Sequence, residues 1–125
     1  IFMRAGWNDG KDVTWAFTEI DQTLSAGITI KGIPWKRPDD VFGIASVING
    51  ISAPHREFLE AGGYGFIIGD GKLNYGHEAI IETYYNAFLS KFFWLTIDYQ
   101  FVNNPAYNKD RGPVNVFAVR GHVAL

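Results

Sequence analysis

Two carboxylates stand two positions apart in Trp15-Ala16-Phe17-Thr18-Glu19-Ile20-Asp21, a spacing that suggests an acid–base pair. On an extended chain alternate Cα atoms lie roughly 7 Å apart, near the range over which the two carboxyl groups of a glycosidase act. Hydrolysis needs one group on each side of the scissile bond, however, and Glu19 and Asp21 would share one face of one strand. His55, His77 and His122 fall at no metal-ligand spacing, and no Ser-centred nucleophile motif or phosphate loop occurs. Without cysteine there is neither a thiolate ligand nor a thiol nucleophile. The residues therefore point away from an enzyme and indicate no metal and no cofactor. What remains is a set of groups that bind through hydrogen bonds, Arg4, Glu19, Asp21, Asp98, Gln100, Arg120 and His122, with the rings of Trp15 and Phe17 beside them.

Strands must position these groups. From 23 to 31 the alternation is strict: Leu24, Ala26, Ile28 and Ile30 fall on one face, Thr23, Ser25, Gly27, Thr29 and Lys31 on the other. A helix, with a repeat of 3.6, would scatter both sets around its circumference. The same parity carried backwards keeps Ile20 with the apolar set and places Trp15, Phe17, Glu19 and Asp21 on the polar side, so residues 14–31 read as one long strand. Phe93, Leu95, Ile97, Tyr99 and Phe101 alternate with Trp94, Thr96, Asp98, Gln100 and Val102, and Phe117, Val119, Gly121, Val123 and Leu125 with Ala118, Arg120, His122 and Ala124. Less regular strands are expected over 1–7, 41–51 and 78–85. The 41–51 segment is apolar on both faces apart from Ser46 and Asn49, which leaves its register open.

Turn chemistry separates these segments. Asn8-Asp9-Gly10 suits a tight hairpin, and 32–40 and 86–91 read as short connections. Residues 103–113 have loop composition throughout, and 52–77 is the longest connection. Its first part has a capping Ser52, an early Pro54 and a closing Gly62, the signature of a short helix.

Composition says what surrounds the strands. Among 125 residues 47% are apolar, 16% aromatic and only 19% charged, fewer charges than the quarter or so usual in a soluble domain. A net charge of −2 without a basic run gives nucleic acid no purchase. No apolar run approaches the ~18 residues of a membrane helix, whereas a membrane strand needs only about 9 to 11 alternating residues. About six strands in an up-and-down meander, with short connections at one end and long ones at the other, is the pattern of outer-membrane barrels. An open edge in lipid would leave a row of unpaired amides and carbonyls, and such barrels start at about 8 strands. The expectation is an all-β, antiparallel transmembrane barrel segment with one short helix in a long extracellular loop. It would be closed by N-terminal strands preceding residue 1 or by neighbouring copies. Residues 1–7 open directly in a strand, without the features of a signal peptide, and read as cut on that side.

Arg4-Ala5-Gly6-Trp7-Asn8-Asp9-Gly10, Trp15-Ala16-Phe17-Thr18-Glu19-Ile20-Asp21, Arg37-Pro38-Asp39-Asp40, His55-Arg56, Asp98-Tyr99-Gln100-Phe101, Asn104-Pro105, Tyr107-Asn108 and Asp110-Arg111-Gly112-Pro113 occur in this order. Together they resemble the C-terminal region of the carbohydrate-selective porins of the OprB family. The likeness covers essentially the whole sequence, 1–125. It implies a barrel of about 16 strands in the outer membrane of a Gram-negative bacterium, passing glucose and related sugars by diffusion, with carbohydrate solutes and outer-membrane lipid as partners. Such barrels usually finish in an aromatic residue, and this sequence finishes Val123-Ala124-Leu125.

A sugar pore needs planar donors and acceptors for hydroxyl pairs, and an aromatic face for the C–H side of a pyranose. Arg4, Glu19, Asp21, Asp98, Gln100, Arg120 and His122 supply the first, and Trp15 and Phe17 the second. The same polar residues can equally do no more than solvate a barrel wall, and Trp15 can belong to the interfacial aromatic girdle, as Trp35, Phe92, Phe93 and Tyr99 are expected to. The rival architecture is a soluble β-sandwich or lectin-like module, which would bury its apolar faces against each other.

Overall fold

In the computed structural model, residues 1–11, 19–66, 68–69 and 71–124 are described. Six strands follow chain order through one antiparallel sheet: β1 (Phe2–Trp7), β2 (Gln22–Gly32), β3 (Arg37–Gly50), β4 (Glu78–Ser90), β5 (Phe93–Asn103) and β6 (Val114–Val123). Each pairs with its sequence neighbour, and β1 and β6 are the two open edges of the described sheet.

The register sorts the side chains into two continuous faces, because directly opposed residues project to the same side. Leu24 opposes Ile48 and Ile28 opposes Ile44; Ser46 opposes Ile81, Ile81 Phe101 and Tyr85 Ile97, and Ile97 Val119 and Phe93 Val123. Apolar rows thus run from strand to strand. The register of β3, undetermined by its own periodicity, is set by these partners: Ile44 and Ile48 join the apolar rows, and Asn49 joins the other face opposite Thr23 and Glu78.

Among the described residues nothing packs on the apolar face. Leu24 is 47% exposed, Ile97 58% and Val119 72%, and among the described residues there is no second sheet to cover them. The described residues form no sandwich. In β2 the apolar side chains Leu24 and Ala26 are exposed and the polar Thr23 and Ser25 half-buried. The buried apolar side chains Ile51, Leu59, Ile68 and Tyr107 all belong to the long connections.

These connections gather at one end of the sheet. Helix α1 (Ala53–Glu60) starts where expected, with Ser52 Oγ accepting from the His55 amide at 3.3 Å and Pro54 in the first turn. Four boundaries differ from the sequence expectation. Of the expected strand 14–31, β2 begins only at Gln22: residues 19–21 precede it and 14–18 lie outside the described residues. The β1–β2 connection is no tight hairpin: Asn8 N donates to Asp21 O at 2.7 Å, closing a long loop. Gly10, at φ +63°, sits so close to Ser52 and Asp21 that a Cβ would collide with both. Residues 86–90, expected as a connection, continue β4, because Asn86 opposes Thr96 and Ala87 opposes Leu95, and only Lys91 and Phe92 turn the chain. Finally, β3 begins at Arg37, after a 3-10 turn at Ile33–Trp35.

This short end is pinned by Asp40, buried at 1% exposure. Its carboxylate accepts from Arg37, from the Tyr85 hydroxyl and from the Phe88 amide, the last at 2.9 Å. Arg37 Nη2 also reaches Phe88 O at 3.0 Å. One acid thereby fastens the β2–β3 turn to β4.

Candidate functional site: the polar face and its loops

Five of the nine sequence-predicted residues lie on the face opposite the apolar rows. Asp98 and Gln100 stand on β5 and Arg120 and His122 on β6, with Asp98 opposite Ala118 and Arg120 opposite Thr96. Gln100 Nε2 donates to Glu82 Oε2 of β4 at 3.1 Å, and Asp98 and Arg120 both lie within electrostatic reach of Glu82. One amide, two carboxylates and one guanidinium thus share a patch spanning three strands. Arg4 belongs to the same face but to a distant strand, opposite Ser25, with β2 and β3 between it and the patch. The structure does not bring it to the others.

Glu19 and Asp21 depart from expectation. They precede β2, at 4% and 6% exposure, and belong to the loop packing instead of the wetted wall. The Glu19 carboxylate accepts from the amides of Phe66 at 2.8 Å and Ile68 at 3.0 Å, and its carbonyl accepts from the Tyr107 hydroxyl at 2.8 Å. Asp21 Oδ2 accepts from the Ser52 amide at 2.8 Å and from His55 Nδ1 at 3.0 Å. Burial opposes ionisation of Asp21, but the Ser52 amide and His55 outweigh it and hold the carboxyl below its ordinary range. Each acid therefore ties a separate piece of the 51–77 connection to the base of β2. Trp15 and Phe17 lie outside the described residues.

Tyr107 completes this shell. Its ring is 3% exposed in the cluster with Ile51, Leu59 and Ile68, and burial raises its phenol well above the ordinary value. Its backbone and that of Ala106 are left-handed, φ 60° and 55°, a conformation costing about 1–3 kcal/mol per residue outside glycine. Three bonds hold it: Glu78 Oε2 accepts from Ala106 N at 2.9 Å, Gly76 N donates to Tyr107 O at 2.9 Å, and the Tyr107 hydroxyl reaches Glu19. Below it, Thr23 Oγ1 donates to Asn49 Oδ1 at 2.8 Å and Asn49 Nδ2 to Glu78 Oε1 at 3.3 Å. This polar ladder joins β2, β3 and β4 to the loop of residues 103–113.

Sequence reasoning missed Glu82, Tyr84, Asn86 and Trp94 as members of this face. Parity would have found the β4 members, since Glu82, Tyr84 and Asn86 alternate with Ile81, Thr83 and Tyr85. Tyr84 lies over Gly43, its partner on β3, where a Cβ would run into the ring. The small residue lets the ring lie flat against the wall.

Planar donors and acceptors line this face of the sheet, a chemistry suited to recognition through hydrogen bonds. Searches of curated proteins and of solved structures return no match. The family model described as carbohydrate-selective porin, OprB family, matches residues 1–125, and the chain belongs to that family of carbohydrate-selective outer-membrane channels.

Proposed function

We propose that residues 1–125 form the C-terminal part of a single transmembrane barrel domain of about 16 strands, and that its water-filled lumen passes glucose and related sugars by passive diffusion. One observation carries this reading: a largely apolar face that continues from strand to strand, with exposed Leu24, Ile44, Ile48, Ile81, Ile97 and Val119 and no second layer over it among the described residues. Hydrocarbon is the medium that makes such a face stable. Strands of 10 to 14 residues from β2 to β6 are long enough to cross it. Trp7 stands at the loop end of that face and Phe93 at its short-turn end, where Trp35 also reaches the Tyr85 hydroxyl.

The edges β1 and β6 need partners in lipid, and in this reading they come from further strands of the same barrel. Arg4, Asp98, Gln100, Arg120 and His122, with Glu82, line the wall that solutes pass. Trp15 and Phe17 are assigned to the loop-end mouth, and Glu19 and Asp21 hold the loops around it. No catalytic step is assigned.

The test is solute uptake by liposomes carrying the porin, read by osmotic swelling with glucose against a disaccharide and a larger oligosaccharide. Swelling that saturates and favours glucose over an uncharged polyol of equal size supports the reading. Vesicles that stay osmotically tight to glucose overturn it.

A further inference from the structure

Three rings adjoin across three strands on the face opposite the apolar rows, at the short-turn end. Phe88 of β4 opposes Trp94 of β5, which opposes His122 of β6. The ring centroids lie 5.6 Å apart in the first pair and 5.5 Å in the second, both tilted at 58°. None of the three is buried. No protein layer lies over them among the described residues, and they are on the side opposite the hydrocarbon-facing rows, so the girdle at the lipid boundary does not account for them.

The next row on the same face consists of Asn86, Thr96 and Arg120, paired with one another across the same three strands. It stands roughly 7 Å further along, two strand residues away, about the width of one sugar ring. Aromatic faces bordered at that distance by an amide, a hydroxyl and a guanidinium match both halves of a pyranose. The axial C–H surface rests on the rings, and the equatorial hydroxyls reach planar donors and acceptors.

We propose that Phe88, Trp94 and His122 form a pyranose-stacking site on the lumen wall at the short-turn end, with Asn86, Thr96 and Arg120 holding the hydroxyls of the same sugar. The site rests on the sugar-conducting reading above and adds to it a place where the solute pauses. Its ligand class is a neutral hexopyranose, and an open-chain polyol lacks the C–H face the rings require.

The test uses the full porin in planar bilayers, with D-glucose and D-glucitol as probes and sugar-dependent current noise as the readout. Trp94→Ala is expected to raise the half-blocking glucose concentration by roughly 3- to 10-fold, the worth of one ring contact, while leaving its KCl conductance open and glucitol passage unchanged. Trp94→Phe retains most of the affinity. An unchanged half-blocking concentration in Trp94→Ala, or equal losses for glucose and glucitol, overturns the site. Should Trp94→Ala fail to insert, Phe88→Leu and His122→Ala carry the same test, and wild-type glucose block in both overturns it. Glucose uptake that persists with an unaltered half-blocking concentration removes this site alone, whereas a wild-type porin impermeable to glucose removes the transport reading itself.

Discussion

Arginine in place of Ile97 separates a lipid-facing strand from a water-facing one. Ile97 lies near the middle of β5, 58% exposed on the apolar face and flanked across the sheet by Tyr85 and Val119, neither of which offers a counter-charge. The nearest acid in sequence, Asp98, projects from the other face. If hydrocarbon wets this row, Ile97→Arg costs about 2–4 kcal/mol near the bilayer midplane. At 3 kcal/mol the folded-to-unfolded ratio falls roughly 100-fold. With a urea dependence of about 1–3 kcal/mol per molar, the unfolding midpoint drops by about 1–3 M. Ala118→Arg, exposed on the other face directly opposite Asp98, is the control and should move the midpoint by no more than about 0.5 kcal/mol equivalent. The assay is equilibrium urea unfolding of the porin in lipid vesicles, followed by tryptophan fluorescence. Val123→Arg, near the turn end of the same face, should cost only about 0–1 kcal/mol. If Ile97→Arg and Ala118→Arg shift the midpoint equally, water contacts both faces and the membrane assignment of the strands is wrong.

Other expectations concern the loops and turns. Asp21→Ala leaves the Ser52 amide and His55 without their acceptor and should weaken closure of the 51–60 segment by about 1–3 kcal/mol, seen as faster amide hydrogen exchange there; unchanged exchange would refute the anchoring role. Because the Asp21 carboxyl is held below its ordinary value of 3.8, its contribution is complete above that value and is lost as the pH falls through it and below. Exchange in 51–60 should therefore accelerate in acid in the wild type but not in Asp21→Asn. Gly43→Ala should push the Tyr84 ring off β3 into the lumen and lower single-channel conductance, with Tyr84→Ala restoring it in the double variant; equal conductance in Gly43→Ala and wild type counts against the packing. Asp40→Ala frees Arg37, Tyr85 and the Phe88 amide together and should lower the temperature at which the barrel loses its compact gel mobility, an effect that Asp39→Ala, at an exposed position, should not share.

Period-2 alternation made β2, β5 and β6 and the partition of their faces legible from the residues alone, because side-chain direction in a strand is a local property. Ser52, Pro54 and Gly62 marked α1 for the same reason, and the ordered motifs from Arg4 to Pro113 pointed to the family that the whole-length match establishes. Tertiary structure decided the rest. The register of β3 came from its partners, since its own residues are apolar on both sides. Strand β4 runs on to Ser90 because β5 offers a row of partners that composition cannot announce. Glu19 looked like a wall residue while its strand parity was the only information, but the amide that claims its carboxylate lies 47 residues further along the chain. The Phe88–Trp94–His122 row likewise exists only once two registers are fixed. Contacts between residues distant in sequence depend on how the chain closes its loops, and local pattern carries no record of that.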